Sequence, residues 1–221
     1  MGLKTVTGDY GAAHKGRGAT ANPEGRFESR QREAVDDGWG VNSEEEPGRP
    51  QTIVTPEQAK SIITRNDSPD LPFTTSINTY RGCEHGCVYC YARPSHAYLG
   101  LSPGLDFETR LFAKVNAAQL LREELARPDY TCESITLGAN TDVYQPAERE
   151  WRITRQVLEV LAECDHPVAI ITKNALIERD LDLLAPMAAR RLAQVYISVT
   201  TLDHDLARRM EPRASAPRRR L

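Results

Sequence analysis

The stretch at residues 73–90, FTTSINTYRGCEHGCVYC, decides the reading of the fold. Its first part, Phe73 to Thr79, alternates loosely and predicts a strand. The strand runs straight into a loop holding Gly82 and Gly86, which let the backbone curl tightly and approach a bulky ligand. That loop carries three of the five cysteines at the spacing Cys83-x3-Cys87-x2-Cys90. Thiolates clustered this closely select zinc or an iron–sulfur cluster. A 4Fe–4S cluster normally takes four protein thiolates, so three would leave one iron with an open position for a substrate or cofactor. The alternatives are a structural zinc completed by His85 or His96, and three unligated thiols.

Working outward, Ser134–Gly138, Val168–Thr172 and Val195–Val199 are short apolar runs that predict strands covered on both faces. Between them lie helical patterns. Asn116 is a candidate N-cap for a helix with Leu120, Leu121 and Leu125 on one stripe. Glu148–Glu163 carries Ile153, Val157, Leu158 and Leu161 on its apolar face. Glu178–Arg191 reads as a helix interrupted near Pro186, Asp203–Met210 as the start of another, and Pro56–Ile63 as a short one. Strands and helices alternating at this spacing predict an α/β fold with a parallel sheet. In such folds function gathers at the C-terminal ends of strands. Here those ends carry Tyr80–Cys90, Gly138–Tyr144, Thr172–Asn174 and Ser198–Thr201, all rich in polar or metal-binding groups. Cys132 and Cys164 fall at the opposite end and read as structural.

The 221 residues suffice for one domain with a core. Five cysteines are too few for a disulfide scaffold, and no apolar run is long enough for a membrane span. A net charge of −3 gives no global argument for nucleic acid. Without an apolar leader at the N-terminus, the expected compartment is the cytoplasm. Residues 1–50 hold nine of the 14 glycines and only six Ile, Leu, Val, Met or Phe residues. Residues 1–55 are therefore expected to form an arm, disordered or draped over the domain at 56–221, with Phe27 and Trp39 as docking points and Glu44–Glu46 in a solvated linker.

The fuller text YRGCEHGCVYCYAR (80–93), PSHAYLGLSPGLDF (94–107), LGANTDVYQPAERE (137–150), ITKNALIERDLDLLAPMA (171–188) and SVTTLDHDLARRMEPRA (198–214) resembles the radical S-adenosylmethionine superfamily. Within it, the text is similar to a bacterial branch related to spore photoproduct lyase; Gly16–Ala19 and Asn22–Phe27 resemble that branch's N-terminal stretch. The resemblance implies a partial (β/α) barrel, a 4Fe–4S cluster on Cys83, Cys87 and Cys90, and reductive cleavage of S-adenosylmethionine to a 5′-deoxyadenosyl radical that takes hydrogen from a substrate. It places Tyr89 near the adenine and Gly138, Asn140, Thr141 and Asp142 at the methionine amino group. Lys173 would face the methionine carboxylate, and Ser198 and Thr200 the ribose or substrate. An electron donor such as a flavodoxin or ferredoxin is implied as partner.

Thr79, Val143 and Asn174 depart from the branch's usual residues. No cysteine lies between Gly138 and Glu150, so the hydrogen-donating cysteine of spore photoproduct lyase does not carry over. Only about four of six expected βα units are found, so the sequence is expected to be a C-terminally truncated domain. A non-catalytic metal-binding module and an inactive fragment are the alternatives to an enzyme. The basic tail from Arg208 to Arg220 admits nucleic acid as a partner but reads first as a solvated helix and loop.

Overall fold

The structure is a computed structural model describing residues 13–25, 27 and 50–221. Its strands are β1 (Ile53–Glu57), β2 (Ile63–Arg65), β3 (Thr75–Ile77), β4 (Tyr80–Arg81), β5 (Arg110–Lys114), β6 (Ile135–Leu137), β7 (Val168–Thr172) and β8 (Ala193–Ile197). Its α-helices are α1 (Leu105–Thr109), α2 (Ala117–Leu125), α3 (Glu148–Trp151), α4 (Ile153–Glu163), α5 (Leu181–Ala189), α6 (His204–Met210) and α7 (Pro217–Arg220). Among the described residues no helix is long and apolar enough to cross a membrane.

The apolar runs pair because each hides its side chains against its neighbours. They form a mixed sheet in the order β2-β3-β6-β7-β8. β3, β6, β7 and β8 run parallel, and β2 is antiparallel to β3. Register sets Ile77 beside Leu137 and Leu137 beside Ile170, all fully buried. Val157, Leu158 and Leu161 of α4 and Leu121 of α2 complete the core, each such side chain contributing about 1.5–3 kcal/mol. β8 differs from its expectation. Among the described residues it pairs with β7 alone, and Val195, Tyr196 and Ile197 are exposed.

A second sheet, β1-β5-β4, was not legible. Ile53–Glu57 forms a strand where a short helix from Pro56 was expected. β1 lies at the sheet edge, where a proline's missing N–H is tolerated. Asn116 precedes α2 but does not cap it. Its side chain instead accepts from Ala59 N and donates to Ala59 O, both at 2.9 Å. The helix expected over Glu148–Glu163 breaks at Arg152, whose φ of 51° is left-handed. The buried Glu148 carboxylate then accepts from Thr154 N (3.0 Å) and Arg155 N (3.2 Å), satisfying the first free amides of α4. The same carboxylate accepts from the Tyr80 hydroxyl and pairs with Arg179 at 2.8 Å, tying α4 to the strand that leads into the cysteine loop. The expected helix at Glu178–Arg191 starts earlier, as a 3-10 turn over Ala175–Asp180 that continues into α5, which contains Pro186.

The described part of the N-terminal arm lies against the domain. The buried Glu108 carboxylate accepts from Gly18 N and Ala19 N, each at 2.9 Å, and pairs with Arg93 at 2.5 Å. Asn22 bonds Asp106 through both its amide atoms and that residue's backbone and side chain. Phe27 packs on Tyr98 with ring centroids 5.1 Å apart. Trp39 and Glu44–Glu46 lie outside the described residues.

Glu108→Ala removes the acceptor of two arm amides and leaves the Arg93 guanidinium without its carboxylate. The expected cost is about 3–5 kcal/mol, the range for breaking a buried ion pair. Limited proteolysis checks it: the variant is cut between residues 13 and 25 faster than the parent chain.

Candidate active site

The strand ends predicted to carry function converge on one cavity of about 840 Å³. Cys83, Cys87 and Cys90 line it, together with Tyr89, Gly138, Asn140, Asp142, Lys173 and Ser198. Cys83 and Cys87 are buried and Cys90 is half-buried. Burial pushes the Cys83 thiol well up, with Asp142 adding to the effect. Burial, then Glu211, pushes Cys87 up to about 12, against an opposing contribution from Lys173. Buried thiols of this kind ionise only when a cation takes up the charge.

The cysteine loop is braced from several sides. Gly86 has φ +66°, and a side chain there would meet Glu108 Oε2 at 2.8 Å. Arg93 donates to Cys87 O at 2.9 Å. Gln145, which sequence reasoning missed, is fully buried and bonds the loop twice. Its Oε1 accepts from Glu84 N (2.9 Å) and its Nε2 donates to Gly82 O (3.1 Å).

At the end of β6, Gly138 has φ +85°, and a Cβ would lie 2.3 Å from Ile171 O on the next strand. Asn140 N and Thr141 N both bond Asn78 Oδ1. Asn140 is exposed to the cavity, whereas Thr141 is buried and its hydroxyl donates to Tyr80 O at 3.1 Å. The Asp142 carboxylate accepts from Tyr144 N (2.9 Å), Thr172 Oγ1 (2.8 Å) and Lys173 N (2.7 Å). Its Oδ2 also lies 3.3 Å from His85 Nδ1. Burial works against the charged form of Asp142, but His85 and these hydrogen bonds outweigh it and hold the carboxyl low. Asp142 thus joins β6, β7 and the cysteine loop.

Lys173 donates from Nζ to Ser198 Oγ at 2.5 Å and lies 3.3 Å from Glu211 Oε1. Its ammonium also sits over the Tyr89 ring, 5.6 Å from the centroid. Tyr89 and Thr200 meet at 2.9 Å through their hydroxyls, and both donate to Glu211. Glu211, only 3% exposed, is the hub that sequence reasoning missed. Arg220 completes it at 2.6 Å. The segment carrying Glu211 folds back over the cysteine loop: Val88 N bonds Met210 O (3.0 Å), and Arg213 N bonds His85 O (3.2 Å). The nearest sequence signal was the quoted MEPRA stretch itself, which gave no indication of where it docks.

Both histidines considered for zinc are engaged through Nε2, and the Nδ1 of each is buried without a hydrogen-bond partner. His96 is fully buried against Phe107 and bonds Arg110 O at 2.9 Å. His85 is held between Asp142 and Asn174. Among the described residues no three His, Cys, Asp or Glu side chains are gathered tightly enough to hold a single metal ion. All three cysteines line the cavity, and soft thiolate donors are of the kind that suits zinc or an iron–sulfur cluster. Cys132 and Cys164, read as structural, are both exposed.

The surroundings of Glu211 generate a pH dependence. Burial opposes its charge, but hydrogen bonds from Tyr89, Thr200 and Arg220 prevail and bring the carboxyl from 4.5 to about 2. A depressed folded pKa gives stability that is complete above the unfolded value and lost as pH falls toward the folded one. Thermal melts are therefore expected to drop between about pH 4.5 and 2. Glu211→Gln is less stable at neutral pH and has a flatter profile across that window.

The family model of the Radical SAM superfamily matches residues 77–221. An uncharacterised protein of Mycobacterium tuberculosis is 42% identical over 151 residues, which is 68% of this chain and 44% of that protein. An uncharacterised protein of Methanocaldococcus jannaschii is 24% identical over 164 residues, 74% of this chain and 58% of that protein. One from Acidianus two-tailed virus is 26% identical over 173 residues, 76% of this chain and 56% of that protein. The chain thus spans about half the length of the curated relatives it matches. No solved structure matches it. With its matched region covering the cysteine loop and all three following strand ends, the chain belongs to the Radical SAM superfamily.

Proposed function

We propose that the chain is the cysteine-loop part of a radical S-adenosylmethionine enzyme. Cys83, Cys87 and Cys90 hold a 4Fe–4S cluster, and S-adenosylmethionine occupies the neighbouring part of the cavity. The observation that carries this reading is the meeting of the three cysteines with Gly138, Asn140, Lys173 and Ser198 on one cavity wall. Once bound, the cluster and S-adenosylmethionine supply a one-electron reductive cleavage that delivers a 5′-deoxyadenosyl radical to a substrate.

The chain's own residues position and enclose. Gly138 keeps the end of β6 free of a side chain where β7 approaches. Asn140 offers a polar side chain at the cavity. Lys173 presents the positive charge expected to face the methionine carboxylate, with Glu211 and Ser198 fixing the ammonium in place. Tyr89 supplies an aromatic wall, oriented through its hydroxyl by Glu211 and Thr200. Asp142 and Thr141 act through others: one fixes the β6 and β7 ends, the other the backbone at Tyr80. Tyr91 reaches from the cysteine loop to Ala139 O, joining that loop to the end of β6.

The finer reading follows from the resemblance. It assigns the branch related to spore photoproduct lyase, a partial barrel around the four parallel strands, and a flavodoxin or ferredoxin as electron donor; a cytoplasmic setting is proposed beside it. Without a cysteine between Gly138 and Glu150, the substrate chemistry differs from that lyase's hydrogen return.

Anaerobic reconstitution with iron and sulfide, then reduction with S-adenosylmethionine present, tests the proposal. The parent chain yields 5′-deoxyadenosine. Cys87→Ala loses both product and iron while keeping its far-ultraviolet spectrum. A chain with full iron and acid-labile sulfide that yields no 5′-deoxyadenosine, or one that takes up stoichiometric zinc instead, contradicts it.

A further inference from the structure

The cavity extends past the cysteines to a second wall built by the antiparallel pair β4–β5. Tyr80 stands opposite Ala113, and Arg81 opposite Phe112. Side chains alternate across a strand, so Tyr80, Leu111 and Ala113 share one face and Arg81, Phe112 and Lys114 the other. Burial follows that division: the first three are in the core, whereas Phe112 and Lys114 are half-buried and Arg81 is exposed. Arg81 and Lys114 both line the cavity, with Ser61, Thr64 and Ser76 beside them.

Only one of the two cations has a carboxylate partner. Glu57 takes Nε and Nη2 of Arg81 at 2.9–3.0 Å. Among the described residues Lys114 has no carboxylate within ion-pair distance and no side-chain hydrogen bond. Burial, then repulsion from Arg81, pushes the Lys114 ammonium's pKa down, with Glu57 opposing. Two positive groups thus face one carboxylate at a partly dry wall, and an unpaired ammonium there loses hydration without compensation. The cavity's other cation, Lys173, already has Glu211. The lining cation without a carboxylate partner is therefore Lys114, not Lys173.

We propose that the β4–β5 wall is a subsite for an oxyanion group of the substrate, phosphate or carboxylate, with Lys114 as the primary contact and Arg81 as the second. Assigning that anion to the reacting substrate rests on the proposed function; the binding itself needs neither iron nor cofactor. Hydrogen-bonding hydroxyls of Ser61, Thr64 and Ser76 suit the polar remainder of such a ligand.

The test titrates the chain, without added iron and again after reconstitution, with inorganic phosphate and, separately, with succinate, at low ionic strength by calorimetry. At least one of the two binds saturably, and the tighter one assigns phosphate or carboxylate. Lys114→Met weakens that binding at least about tenfold, the loss of one charge-assisted hydrogen bond. Lys114→Arg, which keeps the charge, retains it. Saturating S-adenosylmethionine leaves it unchanged. The proposal is overturned if neither anion binds, if binding survives Lys114→Met but disappears in Lys173→Met, or if S-adenosylmethionine displaces the anion. The 5′-deoxyadenosine assay reads the cofactor chemistry separately, so either claim can fail alone.

Discussion

The carboxylate of Asp142 is the interaction on which the site depends. It accepts hydrogen bonds from the chain just beyond β6, from the end of β7 and from the residue after it, and it faces His85 in the cysteine loop. A buried charge survives only when it is paired and hydrogen-bonded. Satisfying this one therefore requires the strand ends and the loop to meet in one arrangement. The loop is otherwise a poor candidate for order, being short, glycine-containing and closed by buried thiols. Glu108 does the same on its far side, where the arm's amides and Arg93 converge. The loop is thus held between two buried carboxylates, and its cysteines face the cavity between them.

Glu211 adds a third anchor of a different kind. It joins Tyr89 of the cysteine loop to Lys173 after β7, Thr200 after β8 and Arg220 of α7. Within that group one carboxylate holds both a lysine and an arginine within ion-pair distance, in a partly buried setting where an unpaired ion is costly. This arrangement fixes a cation next to Cys87, the side on which a ligand with a carboxylate is expected. At the β4–β5 wall one carboxylate likewise faces two cations, but only Arg81 lies within ion-pair distance of it, and that contrast separates Lys114 from Lys173.

The parts of the fold written in apolar runs were legible in the sequence. Ile77, Leu137 and Ile170 mark β3, β6 and β7 because continuous apolar segments pair when both faces are covered. The smaller sheet was not legible, because Pro56 inside β1 and the charged ends of β5 disguise strands that lie at an edge or face a cavity. Arg152 broke a helix whose apolar periodicity runs through it undisturbed; the left-handed turn is set by Glu148, a tertiary partner. The cysteines of the site were readable from spacing, and the polar strand ends from their position. Glu211, Gln145 and Lys114 were not, since each takes its place from residues far away in the chain. Asp142 and Thr141 were found by position, and their hydrogen-bond partners Thr172, Lys173 and Tyr80 lie far away in the chain.

In the proposed function three protein sulfurs leave one iron free for S-adenosylmethionine. Mössbauer spectra of the chain reconstituted with isotopically enriched iron, recorded with and without S-adenosylmethionine, decide whether such an iron exists. One iron site of the cluster is expected to change its parameters when S-adenosylmethionine is added, while the others do not. Spectra in which every iron is sulfur-ligated alike and unaffected by S-adenosylmethionine overturn the proposal.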